Sequence, residues 1–397
     1  MQGLFKNIKL LNAHTIENKR VVLRVDFNVT LTVEKTIADP IRISKTVPTI
    51  ELLLKHNNKV ILVSHFDRPE KRDSKYSLKP VADYLQSVFS NKKVVLVDDF
   101  LSQKGKEQLV NQTANEIILL ENIRFYKGEQ ANDTAFAKQL AALGDVYIND
   151  AFGVSHRNET SIVGIPQLLP SYCGLLLEKE IDAVAKITHN PKQPVVAIIG
   201  GAKISTKIIF LSKLIHFVNY LLLGGGIANT FLLAKGYEIG QSLAEKDHVK
   251  EAQDILRLAK EKNVALLLPT DFVGLEENLE KTYSLNEFSQ NFSILDIGPK
   301  TKVAFSTVVN KARTIIWNGP VGYFEDPRFA KGTDFIFEAI VQNKEAFSVI
   351  GGGDTLAAVA KKEDIKNIGH ISTGGGALLE LIENGTLPGI EALRTWN

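Results

Sequence analysis

The sequence predicts an α/β protein of two domains, each a parallel sheet flanked by helices, joined by an interdomain helix. Three observations carry this. Short β-branched runs alternate with longer helical patterns along nearly the whole chain, the signature of βαβ units. The 397 residues exceed what one hydrophobic core usually supports, which makes two domains the default. The alternation also pauses once, at a segment that reads as helix with no strand beside it.

Taken in order, the first series places strands at VVLRVD (21–26), KVILVSH (59–65), KVVLVDD (93–99), EIILLEN (116–122) and VYINDAF (146–152), with helical patterns in the gaps. LLLEKEIDAVAKI (175–187) then has the spacing of one amphipathic helix and reads as the connector. A second series follows, with strands near VVAIIGG, YLLLGGG, VALLLPTDF, SILDIG, TIIWNG and FSVIGGG, each succeeded by helix-like sequence. This sets an amino-terminal domain over 1–172, an interdomain helix over 173–188 and a carboxy-terminal domain over 189–386.

Composition narrows the function. A formal net charge of +2 lacks the broad basic excess of a nucleic-acid binder, so any anion preference is local. The single cysteine, Cys173, excludes an intrachain disulfide framework and suits a reducing compartment; it reads as a buried bystander. The amino terminus resembles no export leader and no charge-free stretch is long enough to span a membrane, so the expectation is a cytoplasmic protein without a membrane partner.

Ligands of open α/β sheets bind beyond the carboxyl ends of the strands, and there the two halves carry different equipment. The first half offers Asp26 and Asn28, His65 and Arg68, Arg124, and His156 with Arg157, while Arg42 precedes a helix. Arginine grips phosphate or carboxylate bidentately, and its recurrence at one edge points to a small anion. The second half offers glycine instead: Gly200-Gly201, Gly224 to Gly226, Gly351 to Gly353 and Gly374 to Gly376, nearly all at strand-to-helix junctions. Such turns allow close backbone approach and present helix amino termini to phosphate. None has the spacing of the P-loop or of the dinucleotide fingerprint. Lys203 and Lys207 are expected on one face of an opening helix, where both ammonium groups reach one polyphosphate. Asp354 opens a helix as an N-cap, as a magnesium ligand, or as both. Glu325 follows a Gly-Pro-x-Gly loop and suits a ribose hydroxyl.

An anion site on one domain and a polyphosphate site on the other suggest phosphoryl transfer across an interdomain cleft. A carboxylate acceptor, with a pKa of about 4, is already ionised and needs no base, although Asp26 could serve a hydroxyl acceptor. A binding protein that closes on a phosphorylated metabolite without turnover would not need Lys203, and a nicotinamide-dependent dehydrogenase would need the missing fingerprint.

The motifs RVDFNV, SHFDRP, LENIRF, NDAFG, IIGGAKISTK, WNGPVGYFE, IGGGDT and STGGGA, in this order, resemble those of phosphoglycerate kinases from end to end. The resemblance implies two Rossmann-like domains in a hinge-bending monomer. It implies reversible transfer between Mg-ATP and 3-phosphoglycerate, giving ADP and 1,3-bisphosphoglycerate, a step of glycolysis and gluconeogenesis. Carried onto this chain, it assigns Asp26, Phe27, Asn28, Arg42, His65, Phe66, Asp67, Arg68, Arg124 and Arg157 to the 3-phosphoglycerate site. Arg42 also meets the phosphoryl group in flight, Lys203 stabilises it on closure, and Lys207 holds nucleotide phosphates. Gly201, Gly225, Asn318, Pro320, Glu325, Gly352, Gly353, Thr355 and Gly375 complete the nucleotide site, and Asp354 is the residue linked to Mg²⁺. The tail 387–397 resembles the family's, which returns to the first domain.

Four departures stand out. Phe66-Asp67 replaces the family's usual Leu-Gly, and Asn158-Glu159 replaces Ala-His, removing the second histidine of that motif. Thr30 replaces a common proline, and Tyr323 a smaller apolar residue beside the nucleotide. Two unit charges about 4 Å apart near a surface repel by roughly 4 kcal/mol, so Asp67 is expected to point away from a bound phosphate.

Overall fold

The computed structural model describes residues 5–360 and 362–395. The chain divides into two compact units, Met1–Asp182 with Asn384–Asn397, and Ala183–Glu383. In the first, strands β1 (Arg20–Arg24), β2 (Lys59–Val63), β3 (Lys93–Val97), β4 (Glu116–Leu120), β5 (Val146–Asn149) and β6 (Ser171–Cys173) form one parallel sheet in the order β3-β4-β2-β1-β5-β6. In the second, β7 (Val195–Ile199), β8 (Tyr220–Leu223) and β9 (Ala265–Leu267) run one way from the sheet centre. Then β13 (Thr314–Asn318), β14 (Phe347–Gly351) and β15 (His370–Ile371) run the other way, giving β15-β14-β13-β7-β8-β9. Both sheets are flanked by helices, which explains why strands such as VVAII of β7 are apolar at every position: each of its five residues is fully buried.

Each sheet has a point where the chain reverses its direction of travel, at β1/β5 in the first and β7/β13 in the second. A crevice opens there because successive connections leave on opposite sides, and this is where such sheets take ligands. The residues after β7 and β13 are stitched together across it: Gly200 N–H donates to Asn318 O at 3.0 Å and Gly201 N–H to Pro320 O at 2.9 Å.

Four expectations are corrected. SILDIG is not part of the parallel series: Phe292–Ile297 is β12 of a separate antiparallel sheet, ordered β11-β10-β12, with β10 Asp271–Glu276 and β11 Leu279–Ser284. Its residues largely alternate between buried and half-buried, as a strand covered on one face should. The VALLLPTDF run therefore leads into a hairpin rather than a helix. Glu277 and Asn278 both have positive φ, 49° and 65°, which closes the two-residue loop. The helix Leu175–Thr188 does have a strand beside it, since β6 precedes it by one residue. VYINDAF stops being strand at Asn149 and turns into a 3-10 helix at Phe152–Val154.

The carboxy-terminal residues pack with the first unit. Gly389 N–H donates to Ser155 O at 2.8 Å, and an added Cβ on Gly389 would stand 2.8 Å from the Ile162 side chain.

Candidate functional site

At the carboxyl edge of the first sheet, β1 ends at Arg24 and the following loop carries Asp26, Phe27 and Asn28. Asp26, only 6% exposed, accepts from Arg42 Nη1 at 2.8 Å and from the Asn28 backbone N–H at 3.3 Å. Arg42 sits in the first turn of the helix Ile41–Lys55 and stays one-third exposed, so its guanidinium is aimed by Asp26 while keeping donors for a ligand. His65 follows β2 and is buried, its Nδ1 3.9 Å from Asp26 Oδ1. Burial, reinforced by Arg24, Arg124, Arg157 and Arg42, holds it well below the ordinary histidine range, so the ring is neutral.

Arg124 lies in the 3-10 turn after β4, where its own backbone N–H donates to the capping Asn122 Oδ1 at 3.1 Å. Its Nη1 donates to Asp67 O and its Nη2 to Glu159 Oε1, both at 2.7 Å. Arg157 Nη1 stands 3.5 Å from the same Glu159 oxygen. Arg68 is exposed. Asp67 adopts a left-handed φ of 53°, which is the physical reason a glycine suits this position. Its carboxylate is exposed and accepts from the Arg68 backbone N–H at 2.9 Å, while its own N–H donates to Asn28 Oδ1 at 2.8 Å. Phe27 and Phe66 turn their rings into the hydrophobic core, and their amide N–H groups go to Ser64 Oγ and Asn122 Oδ1. Arg24, the one charge inside an apolar strand run, is fully buried and was not among the expected binding residues. Its Nε donates to Ser161 Oγ at 2.7 Å, and Ser161 donates onward to the buried Glu129 at 2.5 Å. Burial is the main force that pushes the Glu129 carboxyl up to about 7.

In the second unit a cleft of about 280 Å³ is lined by Gly201, Gly225, Pro320, Tyr323, Glu325 and Asp354, among others. Close backbone approach builds it. A Cβ on Gly200 would lie 2.0 Å from Pro320 O, and one on Gly225, whose φ is +62°, would lie 2.8 Å from Gly201 O. Gly353 and Gly375 have nothing within 4 Å of a Cβ and face open space. Lys207 Nζ donates to Gly200 O at 2.8 Å and to Asn318 O at 3.3 Å, spanning the crevice between β7 and β13. Burial lowers its ammonium from the ordinary lysine range to about 8, against the pull of Asp354. Asn318 Nδ2 donates to Gly351 O at 2.8 Å, and Thr355 Oγ1 accepts from the Gly319 N–H at 2.6 Å, so β13 and β14 present their turns as one surface.

Two local expectations fail here. Lys203 and Lys207 do not share a helix face: the chain after Gly201 forms turns, and helix begins only at Ile208, with Lys207 as its N-cap. Lys203 is exposed in that turn segment. Asp354 is not an N-cap either, because Gly352 occupies that position with φ 106°, leaving the Asp354 carboxylate exposed at the cleft. Among the described residues no three His, Cys, Asp or Glu side chains gather as a metal-binding group. A lone accessible carboxylate fits a magnesium ion that takes its other ligands from phosphate and water. Among the described residues no helix is long and apolar enough to cross a membrane.

A family model described as phosphoglycerate kinase matches residues 11–385. The phosphoglycerate kinase of Dictyoglomus turgidum is 44% identical over 393 residues, covering 98% of this chain and 99% of that one. That of Moorella thermoacetica is 44% identical over 383 residues, covering 95% and 97%. Among solved structures, phosphoglycerate kinase from Coxiella burnetii superposes with a TM-score of 0.86 at 37% identity, over 97% of this chain and 98% of that one. The enzyme from Pyrococcus horikoshii gives 0.87 at 31% identity, over 98% and 99%. With a family model and relatives that span both parallel sheets, the chain belongs to the phosphoglycerate kinase family.

Proposed function

We propose that this chain transfers a phosphoryl group reversibly between ATP and the carboxylate of 3-phosphoglycerate, giving ADP and 1,3-bisphosphoglycerate, as a monomer working in the cytoplasm. One observation carries the reading: an arginine-rich edge on one parallel sheet and a lysine-bearing glycine cleft on the other, in a chain 44% identical to named phosphoglycerate kinases. A carboxylate nucleophile is ionised at neutral pH and needs no base, so Asp26 is free to serve as the aimer of Arg42. The chemical need is then to offset repulsion between two anions. Arg42, Arg68, Arg124 and Arg157 supply cations toward the acid; Lys203 and Lys207 supply them toward the nucleotide phosphates.

His65 and Asn28 complete the acid site, with Glu325 on the ribose and Gly201, Gly225 and Pro320 beside the adenosine. Gly352, Gly353, Thr355 and Gly375 face the phosphates. Asp354 holds Mg²⁺, directly or through water, and the ion when bound draws charge from the phosphate oxygens. Because acid-binding and nucleotide-binding residues belong to different units, transfer calls for hinge closure that lines the carboxylate up with the γ-phosphorus. A coupled assay with 3-phosphoglycerate and Mg-ATP tests this by following ADP. Arg42→Ala should lower kcat about 10³-fold, the scale of a transition-state arginine, and Lys203→Ala should likewise collapse turnover. Near-normal turnover in Arg42→Ala removes its role, and no ADP from the unaltered protein removes the reading.

A further inference from the structure

A carboxylate is embedded among the guanidinium groups of the first unit. Glu159 is 5% exposed, and its Oε1 is shared between Arg124 Nη2 at 2.7 Å and Arg157 Nη1 at 3.5 Å. Its Oε2 is buried without a hydrogen-bond partner and lies 3.9 Å from Arg24 Nη2, which is also buried without one. Arg124 Nε and Arg157 Nε are buried and unpartnered as well. A buried acid persists only where cations compensate it, and here the compensating cations are the ones an incoming acid would use.

We propose that Glu159 is a built-in counter-ion that sets how tightly the first unit holds its phosphorylated acid. With no ligand it keeps Arg124 and Arg157 in position and neutralises part of their charge. When the ligand binds, the same guanidiniums are divided between two anions, so affinity is lower than the arginine count alone would give. This rests on the proposed 3-phosphoglycerate site and concerns the strength of binding there. Glu159 acts through Arg124 and Arg157 and is a positioning residue.

Glu159→Gln separates charge from shape, because the amide oxygen still accepts from Arg124 Nη2. Binding of 3-phosphoglycerate is titrated directly, and KM and kcat are measured with Mg-ATP saturating. Loss of one buried charge beside a bound anion should lower both Kd and KM about fivefold or more. The kcat should change less than about twofold, because ground state and transition state gain alike. Competitive inhibition by inorganic sulfate should tighten in parallel. A folded Glu159→Gln protein with unchanged or raised Kd overturns the proposal and leaves Glu159 a structural acid. If Glu159→Gln does not fold, Glu159→His at pH 8, where the imidazole is neutral, is read by the same criterion. A wild-type protein that binds no 3-phosphoglycerate at all overturns the underlying reading instead, so the two failures are distinguishable.

Discussion

Lys207 carries its charge against the cost of burial. Burial brings its ammonium down to about 8, while its two carbonyl contacts, Gly200 O and Asn318 O, fix it across the crevice. If it holds nucleotide phosphates, only the charged form binds well, so affinity for Mg-ADP must fall as pH rises through 8. The protonated fraction drops from roughly three quarters at pH 7.5 to about a tenth at pH 9, an affinity loss of roughly eightfold. Calorimetry in two buffers of different ionisation enthalpy should show uptake of ~0.8 proton per nucleotide at pH 8.5.

The same shift has a sign for stability. The folded pKa is below the unfolded one, so the unfolded chain binds more protons between about 8 and 10.5, and stability rises with pH in that window. Below 8 the whole cost is present, about 3 kcal/mol for a shift of this size. Replacing the ammonium by a methyl thioether removes that cost but strands two carbonyls, each worth about 1 kcal/mol. Lys207→Met should therefore abolish nucleotide binding yet raise the melting temperature at pH 7, and Lys207→Arg should bind with no pH dependence over this span. Mg-ADP affinity that is flat from pH 7.5 to 9 in the wild type, or a Lys207→Met protein less stable at pH 7, would refute the reasoning.

Two further outcomes follow from single positions. Asp67→Gly should change 3-phosphoglycerate affinity by less than tenfold, because the Asp67 carboxylate is exposed and engaged with the Arg68 amide; a larger rise in a direct titration shows that it faces the phosphate. Gly200→Ala forces a Cβ to within 2.0 Å of Pro320 O, so the β7/β13 crevice must spread, lowering stability by about 1–3 kcal/mol and weakening nucleotide binding. Chemical denaturation and an ADP titration measure both, and a change below about 0.5 kcal/mol contradicts the close approach.

The two parallel sheets were legible because strands covered on both faces are continuous apolar runs, and VVAII of β7 is unmistakable. β11, LEKTYS, was not, since it is mostly exposed and polar, and β6 and β15, at three and two residues, carry too little pattern. Within the sites, residue types at strand ends could be read, but the interactions that define their work are non-local. Glu159 meets Arg124 from 35 residues away and Glu129 meets Ser161 from 32, so no spacing rule announces either. The lysine pair failed for a local reason: the chain turns through residues 202–206 before helix can start, which a heptad-like count cannot foresee. Arg24 did carry a signal, a lone charge inside VVLRVD, and buried pairing was its meaning.

The helix Pro388–Ala392 belongs to the unit whose first strand begins at Arg20, and Ala392 shares an apolar cluster with Ala151, Val154, Ile162 and Val163. During synthesis the first unit therefore leaves the ribosome with an apolar seam that the helix Pro388–Ala392, made only after the whole second unit, comes to cover. Domains ordinarily fold in the order they emerge. Here the one that emerges first is finished last, and a nascent chain halted anywhere before residue 388 exposes that vacant apolar seam to the cell.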